Sequence, residues 1–227
     1  MQEPNDDQWT MLRWDDHIVP ILQHPDIHIR DKALLVVAWE SHARRGELLN
    51  LRFGDVEDRG DHLAILLTHP TGRDRSLVLV GSMPYLKRWM VHKEHPVAER
   101  LAEDADPLEE APSDTPVWTY INSNKDTSLL SLRAITGRAC QRGDVPKEFT
   151  LYDIRRSRAK MLAHEFGLGS ALRQRFGWAS HKPEEFVELD EEPSPDGEIK
   201  PSTPIRCSNC GAWTPRHQPC IWCDSDC

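Results

Sequence analysis

Five of the six cysteines fall between Cys207 and Cys227, and four of them form two Cys-x2-Cys pairs, Cys207/Cys210 and Cys220/Cys223, with nine residues between the pairs. Each pair presents two thiolates, and two pairs supply the four soft ligands that a tetrahedral Zn²⁺ needs. A closed thiolate shell leaves no open coordination position, so the expected ion is structural rather than catalytic. Metal ligation would also supply the folding energy of a segment too short to bury a sizeable core. His217 and Cys227 are substitute ligands, but the paired spacing favours the other four. The first 30 residues show no signal peptide, which places the expected chain in a reducing cytoplasm. There, clustered cysteines read as a metal site before they read as disulfides. Cys140 stands apart.

The arginines form the second group with chemistry to offer. Residues 128–180 carry ten Lys and Arg against four Asp and Glu, whereas the whole chain has a net charge of −9. Acidic runs at 103–114 and 184–198 flank this basic island. Such an island is either a solvated face or a surface for phosphate. The overall negative charge weighs weakly against a nucleic-acid partner. The remaining composition, 227 residues with 38% apolar and 29% charged, describes a soluble globular chain. No apolar run reaches the length of a membrane span. The scarcity of lysine beside arginine suggests a high-salt cytoplasm.

The pattern predicts the elements that hold these groups. Residues 14–23 read as a short helix capped by Asp15 or Asp16, 29–41 as a buried helix, and 45–51 as a second short helix. Residues 63–67 and 76–80 are strand-length apolar runs flanking the turn THPTGRDR, hence a β-hairpin. A helix follows from Met83 to His92, started by Ser82 and Pro84. Residues 103–116 read as an acidic loop. Amphipathic helices are expected at 128–142 and 151–166, and shorter ones at 169–176 and 182–189. The expected fold class is mainly α with a small antiparallel β-sheet, plus a small zinc-ribbon module. The expected domains are 10–192, a proline-rich acidic linker at 193–204, and the ribbon at 205–227.

Four phrases, in order, resemble the catalytic domain of the tyrosine recombinases, the phage-integrase family. SHARRGEL resembles that family's "T-G-x-R-x-x-E-L", with Arg44 on the first catalytic arginine. The TGRDR turn resembles the hairpin phrase "K-T-G-x-x-R". TLYDIRRSRAK resembles the "H-x-x-R" helix, with Arg155 on the second catalytic arginine. FGWASHKPEEFVELD resembles the closing "G-(H/W)-…-Y", with Trp178 on the His/Trp position. The whole most resembles the integrase-like proteins of halophilic archaea, which often end in a zinc ribbon.

The resemblance implies attack on a DNA phosphodiester without a metal. Two guanidiniums would clamp the non-bridging oxygens, a tyrosine hydroxyl would attack, and a hairpin lysine would protonate the leaving oxygen. This chain departs from the pattern in three places. Pro70 stands at the hairpin lysine, or His69 if the alignment slips by one. Tyr152 stands at the first position of "H-x-x-R". Phe186 stands at the nucleophile, and a phenyl ring has no oxygen to attack phosphorus. Only Tyr85, Tyr120 and Tyr152 exist as tyrosines. Only about 28 residues precede the first matching helix, so the resemblance covers one half of the family's clamp on the duplex.

Three functions remain open at this stage. The first is a degenerate recombinase-like protein that binds duplex DNA through Arg44, Arg155 and the basic helix residues Arg156, Arg158 and Lys160. It would regulate or assist an intact recombinase, and its expected partners besides duplex DNA are an intact recombinase or another copy of itself. The second is an active recombinase using Tyr152 or a nucleophile given in trans. The third is a zinc-ribbon protein-interaction module. The ribbon itself could contact nucleic acid or protein.

Overall fold

The computed structural model describes residues 11–69, 74–102, 105–121, 129–145, 148–178, 203–216 and 218–227. Pro70, Phe186, the expected helix at 182–189 and nearly all of the expected linker lie outside the described residues.

The first segment is a π-helical turn, Trp14–Ile18, that runs into α1, Val19–Gln23. Neither Asp15 nor Asp16 caps it; the N-cap position is Arg13, without a side-chain bond. Trp14 instead anchors the turn by packing on Trp39 at 5.6 Å between rings. Helix α2, Ile29–Ser41, is the axis of the fold. Every residue from Ala33 to Trp39 is buried, so it is apolar all round rather than along one stripe. It packs against the helices Met83–Met90, Leu129–Arg142 and Leu151–Phe166 and the strand Arg75–Leu79. His28 caps its start by accepting the Arg30 N–H at 3.1 Å. His42 ends it at φ 55°, a left-handed conformation usually left to glycine.

Helix α3, Arg45–Leu49, is one short turn, two residues shorter than the pattern suggests. A 3-10 turn, Phe53–Asp55, leads into β1, Val56–Asp58. The expected hairpin is present as β2, Leu63–Leu67, and β3, Arg75–Leu79, with Ile65 opposite Leu77. Leu63, Ile65, Leu67, Leu77 and Leu79 face the core, while Leu66 and Val78 face out. The sheet has a third strand that the pattern did not reveal, because β1 pairs antiparallel with β2 on only three residues, one of them apolar.

Helix α4, Met83–Met90, begins after Ser82, as expected, but the Ser82 side chain caps nothing. The Glu40 carboxylate, from the last turn of α2, does the work. It accepts the N–H groups of Val80 (2.9 Å), Gly81 (3.2 Å) and Ser82 (2.8 Å) and the Ser82 hydroxyl (2.6 Å). One acid thereby joins α2, the end of the hairpin and α4. The acidic stretch expected as a loop contains one helical turn, α5, Pro107–Glu110, capped by the Asp106 carboxylate. Helices α6, Leu129–Arg142, α7, Leu151–Phe166, and α8, Ser170–Phe176, follow as expected, α7 opening with a Thr150/Asp153 capping box.

The tail forms a two-stranded ribbon, β4, Ile205–Arg206, and β5, Trp213–Thr214. It docks on the helical body. Trp213 Nε1 donates to Gly60 O at 2.7 Å and Gln218 Nε2 to the Tyr85 hydroxyl at 2.6 Å. Arg88 Nε donates to Ile221 O at 3.0 Å, with its guanidinium over the Trp222 ring at 5.3 Å. The mainly helical class with a small antiparallel sheet is as expected. Among the described residues, no helix is long and apolar enough to cross a membrane.

Glu40→Ala is expected to remove at once the acceptor of three backbone N–H groups and one hydroxyl. The loss should reach at least about 3 kcal/mol, roughly 6–12 °C in melting temperature by calorimetry, with Glu40→Gln in between.

Candidate functional site

Arg44 and Arg155, far apart in sequence, converge. Arg44 occupies the N-cap of α3 in extended conformation (φ −67°, ψ 152°). Glu47, one turn on, holds it twice. The carboxylate accepts the Arg44 backbone N–H at 2.6 Å and the Arg44 guanidinium at 3.0 Å. The second Arg44 nitrogen donates to Gly177 O at 2.8 Å. Glu47 is also gripped from the hairpin by Arg75, through both guanidinium nitrogens, one at 2.7 Å. The Glu47 side chain is 1% exposed. Its burial would raise the carboxyl pKa, but the hydrogen bonds from Arg75 and from the Arg44 backbone outweigh burial and hold it below its ordinary value.

Arg155 is held by carbonyl groups. Its guanidinium donates to His42 O and, at 2.7 Å, to Phe176 O. It also lies over the rings of Phe176 at 5.1 Å and Trp178 at 5.9 Å. Burial, then the nearby Arg44 charge, pulls its pKa down to about 9, which leaves it cationic at neutral pH. His42, Phe176 and Trp178 form a stack, with ring separations of 4.8 and 4.5 Å. Burial, then Arg158, Arg175 and Arg155, keeps His42 well below its ordinary pKa, so the ring is neutral. Arg158 Nε and Arg175 Nε approach its two nitrogens at 3.4 and 3.3 Å, of which a neutral ring can accept only one. Gly177 follows α8 at φ 62°; a Cβ there would lie 2.9 Å from Arg75 Nη1 and 3.1 Å from Arg44 Nη1. A side chain there would strain the backbone and push both guanidiniums aside.

These groups border a cleft of about 770 Å³ lined by residues of α3, α6 and α7. Arg44, Arg155, Trp178 and Tyr152 all line it, so four of the residues singled out in the sequence share one space. Arg45 and Arg133, both exposed, line it too, and neither was singled out. The signal for Arg45 was its place beside Arg44; Arg133 carried no signal beyond the basic island. Among the described lining residues none is acidic.

The basic helix does not present one face. Arg156 and Lys160 are half-buried, but Arg158 is 4% exposed and packs over the Trp39 ring at 5.4 Å. Its expected place on a DNA-facing surface is corrected: Arg158 shares the inward face of α7 with Arg155, three residues away.

The four paired cysteines come together. Their Sγ atoms all lie within 4.8 Å of one another. Cys207 and Cys223 are 3.8 Å apart, and Cys210 and Cys220 are 3.7 Å apart. The edge of a tetrahedron of sulfurs around an ion with bonds of about 2.3 Å is about 3.8 Å, so the donor set fits a single metal ion. Each pair is closed by a left-handed residue, Gly211 (φ 72°) and Asp224 (φ 56°), whose N–H donates to the carbonyl of the first cysteine of the pair. Asn209 and the Trp222 N–H donate to the sulfurs of Cys223 (3.6 Å) and Cys220 (3.5 Å). A second cluster, His28, His92 and Glu94, also lies within 4.8 Å. There the Nδ1 atoms of both histidines already accept backbone N–H groups, and His28 Nε2 bonds Glu94 at 2.6 Å. That arrangement is a hydrogen-bonded staple between the start of α2 and the end of α4.

No protein-family model and no curated protein matches the sequence. Solved structures do match. XerA recombinase superposes with a TM-score of 0.60 at 17% identity, over 80% of this chain and 61% of that one. XerH site-specific recombinase bound to palindromic difH substrate, in its post-cleavage complex, gives 0.56 at 16% identity, over 76% and 47%. The Tn1549 transposon integrase in complex with circular intermediate DNA gives 0.53 at 13% identity, over 81% and 63%. The chain has the catalytic-domain fold of the tyrosine recombinases. It spans from 47% to 63% of the length of these three recombinase chains. Within this recombinase fold the arginine cleft lies between the starts of α3 and α7, and the thiol cluster lies on the docked ribbon.

Because folding lowers the Glu47 pKa, its contribution to stability is full above its unfolded value and is lost as pH falls through the folded value. Stability measured by denaturant titration should therefore fall as pH drops below about 4.5. Glu47→Gln should be less stable at neutral pH and show a shallower acid decline.

Proposed function

We propose that the protein binds duplex DNA through the arginine cleft, in the manner of a recombinase catalytic domain that does not cut the strand it holds. The observation that carries this reading is the charge of the cleft. In a chain of net charge −9, four guanidiniums, those of Arg44, Arg45, Arg133 and Arg155, line one space without an acid among the described lining residues. Arg44 and Arg155 would clamp one backbone phosphate, since planar guanidiniums match phosphate oxygens bidentately. Arg156 and Lys160 on α7 would meet neighbouring phosphates, and Trp178 would pack beside the clamp. The solved neighbours bound to DNA support the partner, and XerH and the Tn1549 integrase are recombination proteins by description. Phe186 and Pro70, which stand where the family has its nucleophile and its general acid, support binding without cleavage.

In this reading residues 10–192 form the recombinase-like unit. Residues 205–227 form a ribbon whose four thiolates hold one structural Zn²⁺. Cys207, Cys210, Cys220 and Cys223 would bind it, and the ion would supply the ribbon's folding energy.

The test is retention of duplex DNA in a salt titration. Affinity should fall steeply as salt rises; Arg44→Ala should weaken binding roughly 10- to 100-fold and flatten the salt slope by about one unit, whereas Arg155→Lys, which keeps the charge and loses the bidentate fork, should weaken binding with little change in slope. A nicked trapping substrate should yield no covalent adduct with the wild type, and Phe186→Tyr should restore some. Retention unchanged in the arginine variants would remove the clamp. Native mass spectrometry should show one zinc per chain, and Cys210→Ser or a strong chelator should release it and lower the melting temperature.

A further inference from the structure

We propose that Tyr152 is a stacking platform for an unpaired base, so that the cleft takes a DNA strand at a gap or a flap in preference to intact duplex. The proposal rests on the DNA-binding reading of the arginine cleft and specifies which DNA it takes.

Tyr152 and Arg155 are three residues apart and therefore share a face of α7. They are placed at different depths. Arg155 is 5% exposed at the floor, whereas Tyr152 is 55% exposed at the rim. A phosphate seated on Arg44 and Arg155 uses only part of a space of about 770 Å³. That volume suits a drug- or nucleotide-sized group. Beside Arg45, Arg133, Thr136 and Thr150, the wall holds four apolar groups, Ala43, Leu132, Leu151 and the half-buried Trp178. A backbone phosphate gains nothing from these apolar groups, while a base does. A phosphate clamp beside an exposed aromatic ring is the combination by which proteins grip single strands. In a duplex the base faces are covered by their neighbours and only the edges reach the grooves. The face of Tyr152 is therefore of use only to a base that has left the stack.

The hydroxyl separates this role from catalysis. A stacking ring needs no oxygen. A nucleophile would form a Tyr152 Oη–P ester as the bond to the leaving strand breaks, with the phenol proton passing to a base and the leaving oxygen taking another. Tyr152→Phe keeps the ring and removes that chemistry, and Tyr152→Ala removes both. Because Tyr152 is exposed, neither change should disturb folding, which circular dichroism checks.

The experiment is fluorescence anisotropy with the full chain on a labelled duplex and on the same duplex carrying a one-nucleotide gap or a short 5′ flap. The wild type should bind the gapped or flapped probe about tenfold more tightly. Tyr152→Ala should lose five- to hundredfold on that probe and little on intact duplex, and Tyr152→Phe should bind like the wild type. Equal binding of both probes by the wild type overturns the proposal. So does an unchanged Tyr152→Ala, a Tyr152→Phe as weak as Tyr152→Ala, or a covalent adduct that Tyr152→Phe abolishes. Failure of the wild type to retain either probe at low salt overturns the DNA reading itself. Normal duplex binding without a preference overturns only the role given to Tyr152.

Discussion

A single carboxylate with almost no contact with water, Glu47, orders the arginine site. Burying a charge is costly unless it is paired and hydrogen-bonded, and Glu47 meets both conditions through Arg75 on the hairpin and Arg44 at the head of α3. Two guanidiniums against one carboxylate leave a surplus positive charge. Arg75 is 7% exposed, so the more accessible share of that surplus belongs to Arg44, which borders the cleft. Arg155 is arranged differently. Backbone carbonyls of His42 and Phe176 orient it, and dipoles can fix a guanidinium without cancelling its charge. The site thus has one arginine shared with an acid and one steered by neutral groups, both at the edge of the same space.

Much of this was legible in the sequence, because the two arginines sit in phrases with recognisable neighbours and the helices around them have strong patterns. The Glu47–Arg75 contact was not. It joins positions 28 residues apart, and it depends on the register that puts Arg75 first in β3 with its side chain inward. The run Arg155–Lys160 misled for a related reason. Read as a string it is a basic patch, but a helix turns about 100° per residue. Arg155 and Arg158 therefore turn toward the core, while Arg156 and Lys160 stay at the half-buried flank. Strand β1 and the turn α5 were too short to show a period.

The ribbon divides in the same way. Its ligand spacing is local, and the four sulfurs stand where that spacing implies. Its seat on α4 is not local. It relies on Tyr85, Arg88, Trp213, Gln218 and Trp222, residue types that occur on any surface, meeting across separations of 133 residues and more. Histidine is another case where type misleads. His24, His28, His92 and His95 each use Nδ1 to accept the N–H two residues on, so four rings with catalytic potential serve as local braces.

His42 stands where a glycine would let α2 end without strain. A side chain in the left-handed region costs on the order of 1 kcal/mol. In return the imidazole fills the space beneath Phe176 and gives the ring stack a floor. Glycine would relax the main chain and open a hollow under the rings, and the guanidinium they flank would gain room to swing. The wedge thus trades local backbone ease for a fixed aim, and the position of Arg155 is set from behind, by the ring stack and by the His42 carbonyl.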